Sequence, residues 1–499
     1  MPPTPPEGFI LGLETEFAIA CFEAEDSYRA RSDAVRHMLT TIINKYPNLP
    51  DGRGAPGAYL SNGCNIYVDN GLHLEFSTAE TANPYDAVAC DKAGERILSE
   101  AARSLDDRRV HIFKNNIDYQ VDTTYGCHEN YLISKDLDLG VIQSELVPFL
   151  VTRQIYAGAG RISTSSRSRG FELSQRAAFI RYEMTEETTR NRGIVNTKNE
   201  DLTGERYQRL HLIIGDSLMS QLGTFLKIGT TALLLRLLDC GVSLGKSLTL
   251  AKPLKSLMEI SRDPACKRRV ALMDGRSLTA VEIQRHYLKE AEKFLNYKDA
   301  PPWAGDVIGK WRLVLDLIEN DKSALTTMLD SYIKLSYYSR FLEKRGLAWE
   351  DLRLTQSAQK SRKRHDPQEI KKTIQQLMEL DIRYHDIDQN CGLFYILDKA
   401  GLLRHHVVSK EAIARSITNA PGGTRASARG KTIASLAGND LKGIASWNGI
   451  WVPEDRKYFC LNNPFAQDVD VCDTSKIPLS KTPSPAVMRF LSELGHRYL

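Results

Sequence analysis

The chain has 499 residues, 42% hydrophobic and 26% charged, with a formal net charge of +4. That length and composition exclude disordered and fibrous classes and leave room for one large domain plus a smaller unit. The 66 Lys and Arg are nearly balanced by 62 Asp and Glu and show no basic-aromatic interleaving, which argues against a nucleic-acid partner. Nine scattered cysteines with no CxxC pair suggest neither a zinc knuckle nor a disulfide framework. The opening MPPTPPEGF lacks a signal-peptide pattern, and no run approaches about 18 uninterrupted apolar residues, so no membrane association and a cytoplasmic location are expected.

From Gly8 to about Ser134 the pattern is mostly strand-like: GFILGLETEFAIA, CNIYVDNGLHLEFSTAE, VHIFKNNIDY and CHENYLIS are short alternating or β-rich runs. Helices are expected over Ser32–Lys45 and Pro84–Arg103, the second with Pro at its first turn. STSSRSRG (Ser163–Gly170) reads as a loop, and RLHLIIGDS as a further strand. The apolar repeat in LMSQLGTFLKIGTTALLLRLLDCG predicts a buried helix ending at Gly241. Ser261 to Gln376 is predominantly helical in pattern, with Gln359–Lys372 as a charged connector. After the turn signal in NAPGGTRASARG, SWNGIWVP and KYFCLNNPFA point to a small C-terminal domain.

Three segments carry polar groups at period two on otherwise apolar strands. Glu14 and Glu16 share one face about 7 Å apart; Asn65, Tyr67 and Asp69 share another; His73 and Glu75 a third. Buried carboxylates need a cation, yet no Lys or Arg lies between Met1 and Tyr28 or between Asn65 and Glu80. The spacing leaves two readings open, a structural ion-pair network and an oxygen-rich Mg²⁺ site. His128 with Asn130, and Arg209 with His211, add cations suited to phosphate. Neither a Walker lysine loop nor a GxGxxG after a strand is present.

Read in order, GLETEFAI, YVDNGLHLEFSTAE, DKAGERIL, FKNNID, YGCHENYLIS, PFLVTRQIYAGAGRI, LSQRAAFI, GIVNTKNE, YQRLHLIIGDSLMS, LKIGTTALLL and YHDID resemble successive motifs of the Pup ligase and Pup deamidase family. That family is related to glutamine synthetase and the carboxylate-amine ligases. The resemblance implies an α+β fold: a curved antiparallel sheet backed by helices over residues 1–418 and a small C-terminal domain over 419–499. It also implies ATP-dependent chemistry, with Mg²⁺, on the terminal carboxylate of a small disordered protein modifier. Metal ligands would be Glu14, Tyr67 and Glu75, to which the shared strand face adds Glu16. Asp69 would be the catalytic aspartate, and Thr78 and Trp447 would contact nucleotide; the strand placements add Asp69 as base, Arg209 to spread developing charge, and His128 and His211 beside the phosphates. At Asn65 the family pattern usually carries Arg, so one phosphate contact needs another cation.

Within the family, the six steps from Asp69 to Glu75 and the short stretch between Ala20 and Tyr59 match the ligase pattern, whereas EETTRNRGIVNT, SQRAAFI and GLAWEDLRL look like the deamidase branch. The expected reaction is isopeptide formation, through a glutamyl phosphate, between the modifier's terminal glutamate and lysines of target proteins. The alternatives are a deamidase or depupylase, an inactive modifier-binding relative, and a small-molecule carboxylate-amine ligase.

Overall fold

Along strand β1 (Leu11–Cys21), Leu11, Leu13, Thr15 and Phe17 are buried while Gly12, Glu14 and Glu16 remain half-buried, the alternation expected of a strand with one open face. The computed structural model describes residues 6–21, 27–52, 56–105, 110–163, 165, 170–198, 203, 205–295, 300–353, 366–453 and 457–472. Most of the expected Ser163–Gly170 loop, positions 359–365 of the connector and the tail from 473 lie outside the described residues.

β1 lies inside a ten-stranded sheet. On one side it pairs with β5 (His73–Ser77), followed by β4 (Asn65–Asp69), β3 (Gly57–Leu60) and β2 (Asn48–Pro50). On the other it pairs with the Cys127–Ser134 strand, followed by Tyr207–Leu212, Gly193–Asn196 and Tyr182–Thr185, while β6 (Val110–Phe113) pairs with its C-terminal half. Every pair in this sheet is antiparallel except Tyr182–Thr185 with Gly193–Asn196.

Helix α1 runs Ser27–Lys45, starting before the expected Ser32; α2 runs Pro84–Arg103 as expected. Asn83 caps α2 by accepting the Asp86 N–H at 2.9 Å, and Pro84 sits in the first turn, where its missing N–H costs nothing. Val35, Met38, Leu39 and Ile42 of α1 pack with Phe17, Ile66, Leu74 and Phe76 from the closed face of the sheet. A second, larger core surrounds the Gln221–Asp239 helix, which is buried on nearly every side, and this explains its uninterrupted apolar character. Within the stretch expected to be helical, Arg269–Ala271 and Ser277–Thr279 instead form a hairpin turning through Asp274 and Gly275. An Asp-Gly pair is a strong hairpin signal, and here it outweighs the surrounding helical periodicity.

Beyond residue 419, the Arg425–Gly438 helix is followed by four short antiparallel strands. Their buried residues Ile433, Ala445, Trp447 and Ile450 share a cluster with Leu49 and Tyr59 of the main sheet. Glu80, just after β5, fastens the Arg425–Gly438 helix: Arg425 Nε donates to it at 2.8 Å, Arg429 also pairs with it, and Arg429 Nη1 donates to the Trp447 carbonyl at 3.0 Å. Burial alone would raise the Glu80 carboxyl, but the two guanidinium groups hold it down to about 2. A carboxylate depressed on folding adds stability that is complete above about pH 4.5 and is lost as the pH falls toward about 2. Arg429→Ala leaves that carboxylate short of a buried partner. It is expected to cost about 3–5 kcal/mol in denaturant unfolding and to flatten this acid limb; an unchanged midpoint would contradict it. No helix among the described residues is long and apolar enough to cross a membrane.

Candidate active site

The open face of the sheet is a lattice of polar side chains set by strand register. Glu16 pairs with Glu75, and Glu75 with Tyr67; one step along, Glu14 pairs with both Ser77 and His128. On the far side Asn130 pairs with His211, and Arg209 precedes it by two residues on the same face. Glu14, Glu16, Tyr67, Asp69, Glu75, His128, Arg209, His211 and Trp447 all line one cavity of about 440 Å³.

One oxygen from each of Glu16, Asp69 and Glu75 lies within 4.8 Å of the others. Among the described residues, none of the three makes an ion pair with Lys or Arg. Glu129, on the opposite face of the same strand system, shows how this chain treats a structural carboxylate. Arg153 grips it through two nitrogens, at 2.9 and 2.5 Å, and the Tyr131 hydroxyl donates to it at 2.7 Å. The trio lacks such partners, and its electrostatics show the consequence. Burial, then the charges of Glu14, Glu16 and Asp69, push Glu75 well above the ordinary carboxylate range, against one hydrogen bond with Tyr67. Burial and Glu16 also push Asp69 up. Glu75 and Asp69 thus resist ionising without a cation nearby, and the clustered oxygens of Glu16 and Glu75 fit a hard divalent ion such as Mg²⁺.

Glu14 is in a different state. It accepts from Asn130 Nδ2 at 3.0 Å and lies 3.4 Å from Arg209 Nη1, 3.4 Å from His128 Nδ1 and 3.6 Å from His211 Nε2. Burial opposes its ionisation, but the His128 hydrogen bond and its cationic neighbours hold it well below the ordinary range. Burial pushes His211 well below its usual value, against the pull of Glu14, and among the described residues its buried Nε2 has no hydrogen-bond partner.

The turn carrying Asp69 is tight. Asp69 pairs with His73, leaving Asn70, Gly71 and Leu72 as a three-residue loop. Gly71 has φ +83° and Leu72 φ +64°, a left-handed backbone that is costly for leucine. The Leu72 side chain packs on the core beneath the sheet, and this contact holds the loop. Gly126 makes a close approach: a Cβ there would lie 2.5 Å from His128 Nε2 and 2.6 Å from Glu16 Oε1.

Two expected nucleotide contacts, Thr78 and Trp447, line a narrower apolar cleft with Leu11, Leu13 and Tyr131. Glu14, Arg209 and Trp447 border both spaces. Asn65 lines neither: it is fully buried and donates to Asp51 at 2.9 Å. The cations that the sequence reading missed are Arg176, Arg192 and Lys198, which line the cavity. Arg176 is 1% exposed and donates to the Tyr125 carbonyl through Nη1, but among the described residues its Nε and Nη2 have no hydrogen-bond partner. The LSQRAAFI motif was the only signal for it.

An open sheet face that clusters uncompensated acids beside unsatisfied guanidinium nitrogens, next to an apolar cleft, is organised for phosphoryl transfer to a carboxylate. Together with the fold it fits an ATP-dependent carboxylate-amine ligase. The chain belongs to the Pup-ligase family, matching the family described as "Pup-ligase protein" over residues 9–451. It is 37% identical over 407 residues to the Pup deamidase/depupylase of Mycolicibacterium smegmatis, covering 80% of this chain and 76% of that one. It is 34% identical over 475 residues to the Pup--protein ligase of Acidimicrobium ferrooxidans, covering 93% and 97%. Among solved structures it is similar to the ligase PafA in complex with Prokaryotic Ubiquitin-like Protein Pup (TM-score 0.77, 28% identity, 98% of this chain and 91% of that chain). It is also similar to PafA in complex with ADP (TM-score 0.71, 28% identity, 95% and 96%).

Proposed function

We propose that this chain is a cytoplasmic, ATP-dependent ligase that joins the side-chain carboxylate of a terminal glutamate on a Pup-like modifier to lysines of target proteins. The observation that carries the reading is the trio Glu16, Asp69 and Glu75, clustered among the described residues without a Lys or Arg ion pair, in a cavity that Arg176 also lines. Bound as its magnesium complex, ATP supplies the terminal phosphoryl group that turns a carboxylate oxygen into a leaving group. Glu14, Glu16, Tyr67 and Glu75 are the residues to hold the metal, and the cleft at Thr78 and Trp447 is the place for the nucleoside. Arg209, 3.4 Å from Glu14, would meet the phosphates from that side. Arg176 and Arg192, both drawn toward Glu16, would receive the acceptor carboxylate and offset the cation missing at Asn65. Asp69, made more basic by burial, takes the proton of the attacking lysine, which is otherwise an ammonium at neutral pH. The amine displaces phosphate, leaving an isopeptide bond, ADP and inorganic phosphate.

The deamidase reading has its own support in the 37% identity to a depupylase. Against it, the match to a ligase spans 97% of that relative and the match to the depupylase only 76%. Incubation with ATP, Mg²⁺, a lysine-bearing protein and modifier ending in Glu or Gln separates the two. Gel-shifted conjugates from the Glu form support the ligase, whereas ammonia from the Gln form without conjugation assigns the deamidase.

Two further outcomes follow. Without a cation, stability should fall as the pH rises from the ordinary carboxylate range through the raised values of Glu75 and Asp69, because the folded state then loses protons it favours. Mg²⁺ should therefore raise the melting temperature more at about pH 8 than at about pH 5; equal shifts would count against a metal at the trio. Arg176→Gln should lower kcat/KM for the modifier by about 100-fold with little change in melting temperature. Wild-type kinetics in that variant would remove Arg176 from substrate binding.

A further inference from the structure

A second cluster of ligating side chains lies away from the cavity, where the end of the Pro367–Tyr384 helix zips onto β6. Lys114 N donates to the His385 carbonyl at 2.8 Å, Ile387 N donates to the Ile112 carbonyl at 3.0 Å, and Phe113 bridges Asp386. This ladder brings His111 to Asp386 although 275 positions separate them, which is why no sequence spacing revealed the pair. Asp386 divides its work: Oδ1 accepts the Asp388 N–H at 2.9 Å, while Oδ2 receives His111 Nδ1 at 2.7 Å and the Cys391 thiol at 3.6 Å. Cys391 is fixed by its own N–H, which donates to the Asp388 carbonyl at 3.3 Å.

The geometry points to a binding site for a zinc-class divalent cation formed by His111, Asp386 and Cys391. One nitrogen, one oxygen and one sulfur lie within 4.8 Å of one another, the mixed donor set that selects borderline-soft metals over Mg²⁺. Ligand atoms around tetrahedral zinc stand about 3.3–3.5 Å apart, so the pairs at 2.7 and 3.6 Å need to shift by only a fraction of an ångström. A metal bound there would displace the thiol proton that Asp386 now receives. The His111 side chain is 28% exposed.

The superficially similar group Asp398, His405 and His406 does not qualify. His405 Nδ1 accepts the Gln221 N–H, so its Nε2 carries the proton given to Asp398 and no ring lone pair is left for a metal.

The test is a Co²⁺ titration of chelator-treated full-length protein, followed by absorption, with Zn²⁺ competition. A thiolate-to-cobalt charge-transfer band, displaced by Zn²⁺, is expected in the wild type. It should be absent in Cys391→Ser, and affinity should fall at least about tenfold in His111→Ala. Both variants should retain the wild-type circular dichroism spectrum. Cobalt in the carboxylate cradle gives no thiolate band, so binding there is distinguished. Absence of the band in the wild type, or its survival in Cys391→Ser, overturns the proposal.

Discussion

Asp69→Asn is expected to lower isopeptide formation by about 10²–10⁴-fold, the range lost when a positioned base is removed. The change keeps size and shape while abolishing proton acceptance, so Mg-ATP affinity measured by calorimetry should change by no more than a few-fold. The pH profile supplies a second readout. Because burial and Glu16 raise Asp69, the acid limb of wild-type kcat should fall above the ordinary aspartate value of about 3.9. That limb should vanish in the variant. Retained conjugation with an unaltered profile would remove Asp69 from proton transfer.

Glu75→Gln is the second large effect, and it separates a metal ligand from a structural carboxylate. Losing a ligand from the trio should weaken Mg-ATP binding by about 10–100-fold and reduce conjugation at least as much. The same change removes a buried group that Glu14, Glu16 and Asp69 all repel. The protein without metal should therefore become more stable, by about 1 kcal/mol, as expected where function is held at the expense of stability. A structural acid behaves in the opposite way. Removing Glu129 would strand the Arg153 guanidinium and destabilise the fold. Unchanged nucleotide affinity in Glu75→Gln, or a loss of apo stability, would return Glu75 to a structural role.

The parts of the site carried by β1, β4 and β5 were legible because period two assigns each residue a face, and LETEF and IYVD write that face in carboxylates. The shared faces of His128 with Asn130 and of Arg209 with His211 followed from the same rule, whereas their approach to Glu14 is set by strand register. Asn65 shows the limit of that rule. It shares the face of Tyr67 and Asp69, yet lies at the end of β4, where Asp51 and the C-terminal unit cover the sheet. Periodicity names a face but not how far along the strand that face stays open. Arg176 and Arg192 were beyond it for another reason: they sit in irregular segments without a repeat, and only tertiary packing turns their charge toward Glu16.

The most direct test of the account follows oxygen atoms through the reaction. With modifier whose terminal glutamate side-chain carboxylate is labelled with heavy oxygen, conjugation through an acyl phosphate must move one labelled oxygen into inorganic phosphate for each isopeptide bond formed. The account predicts that transfer, dependent on Mg²⁺ and lost in Glu75→Gln. Conjugates accompanied by unlabelled phosphate would contradict it.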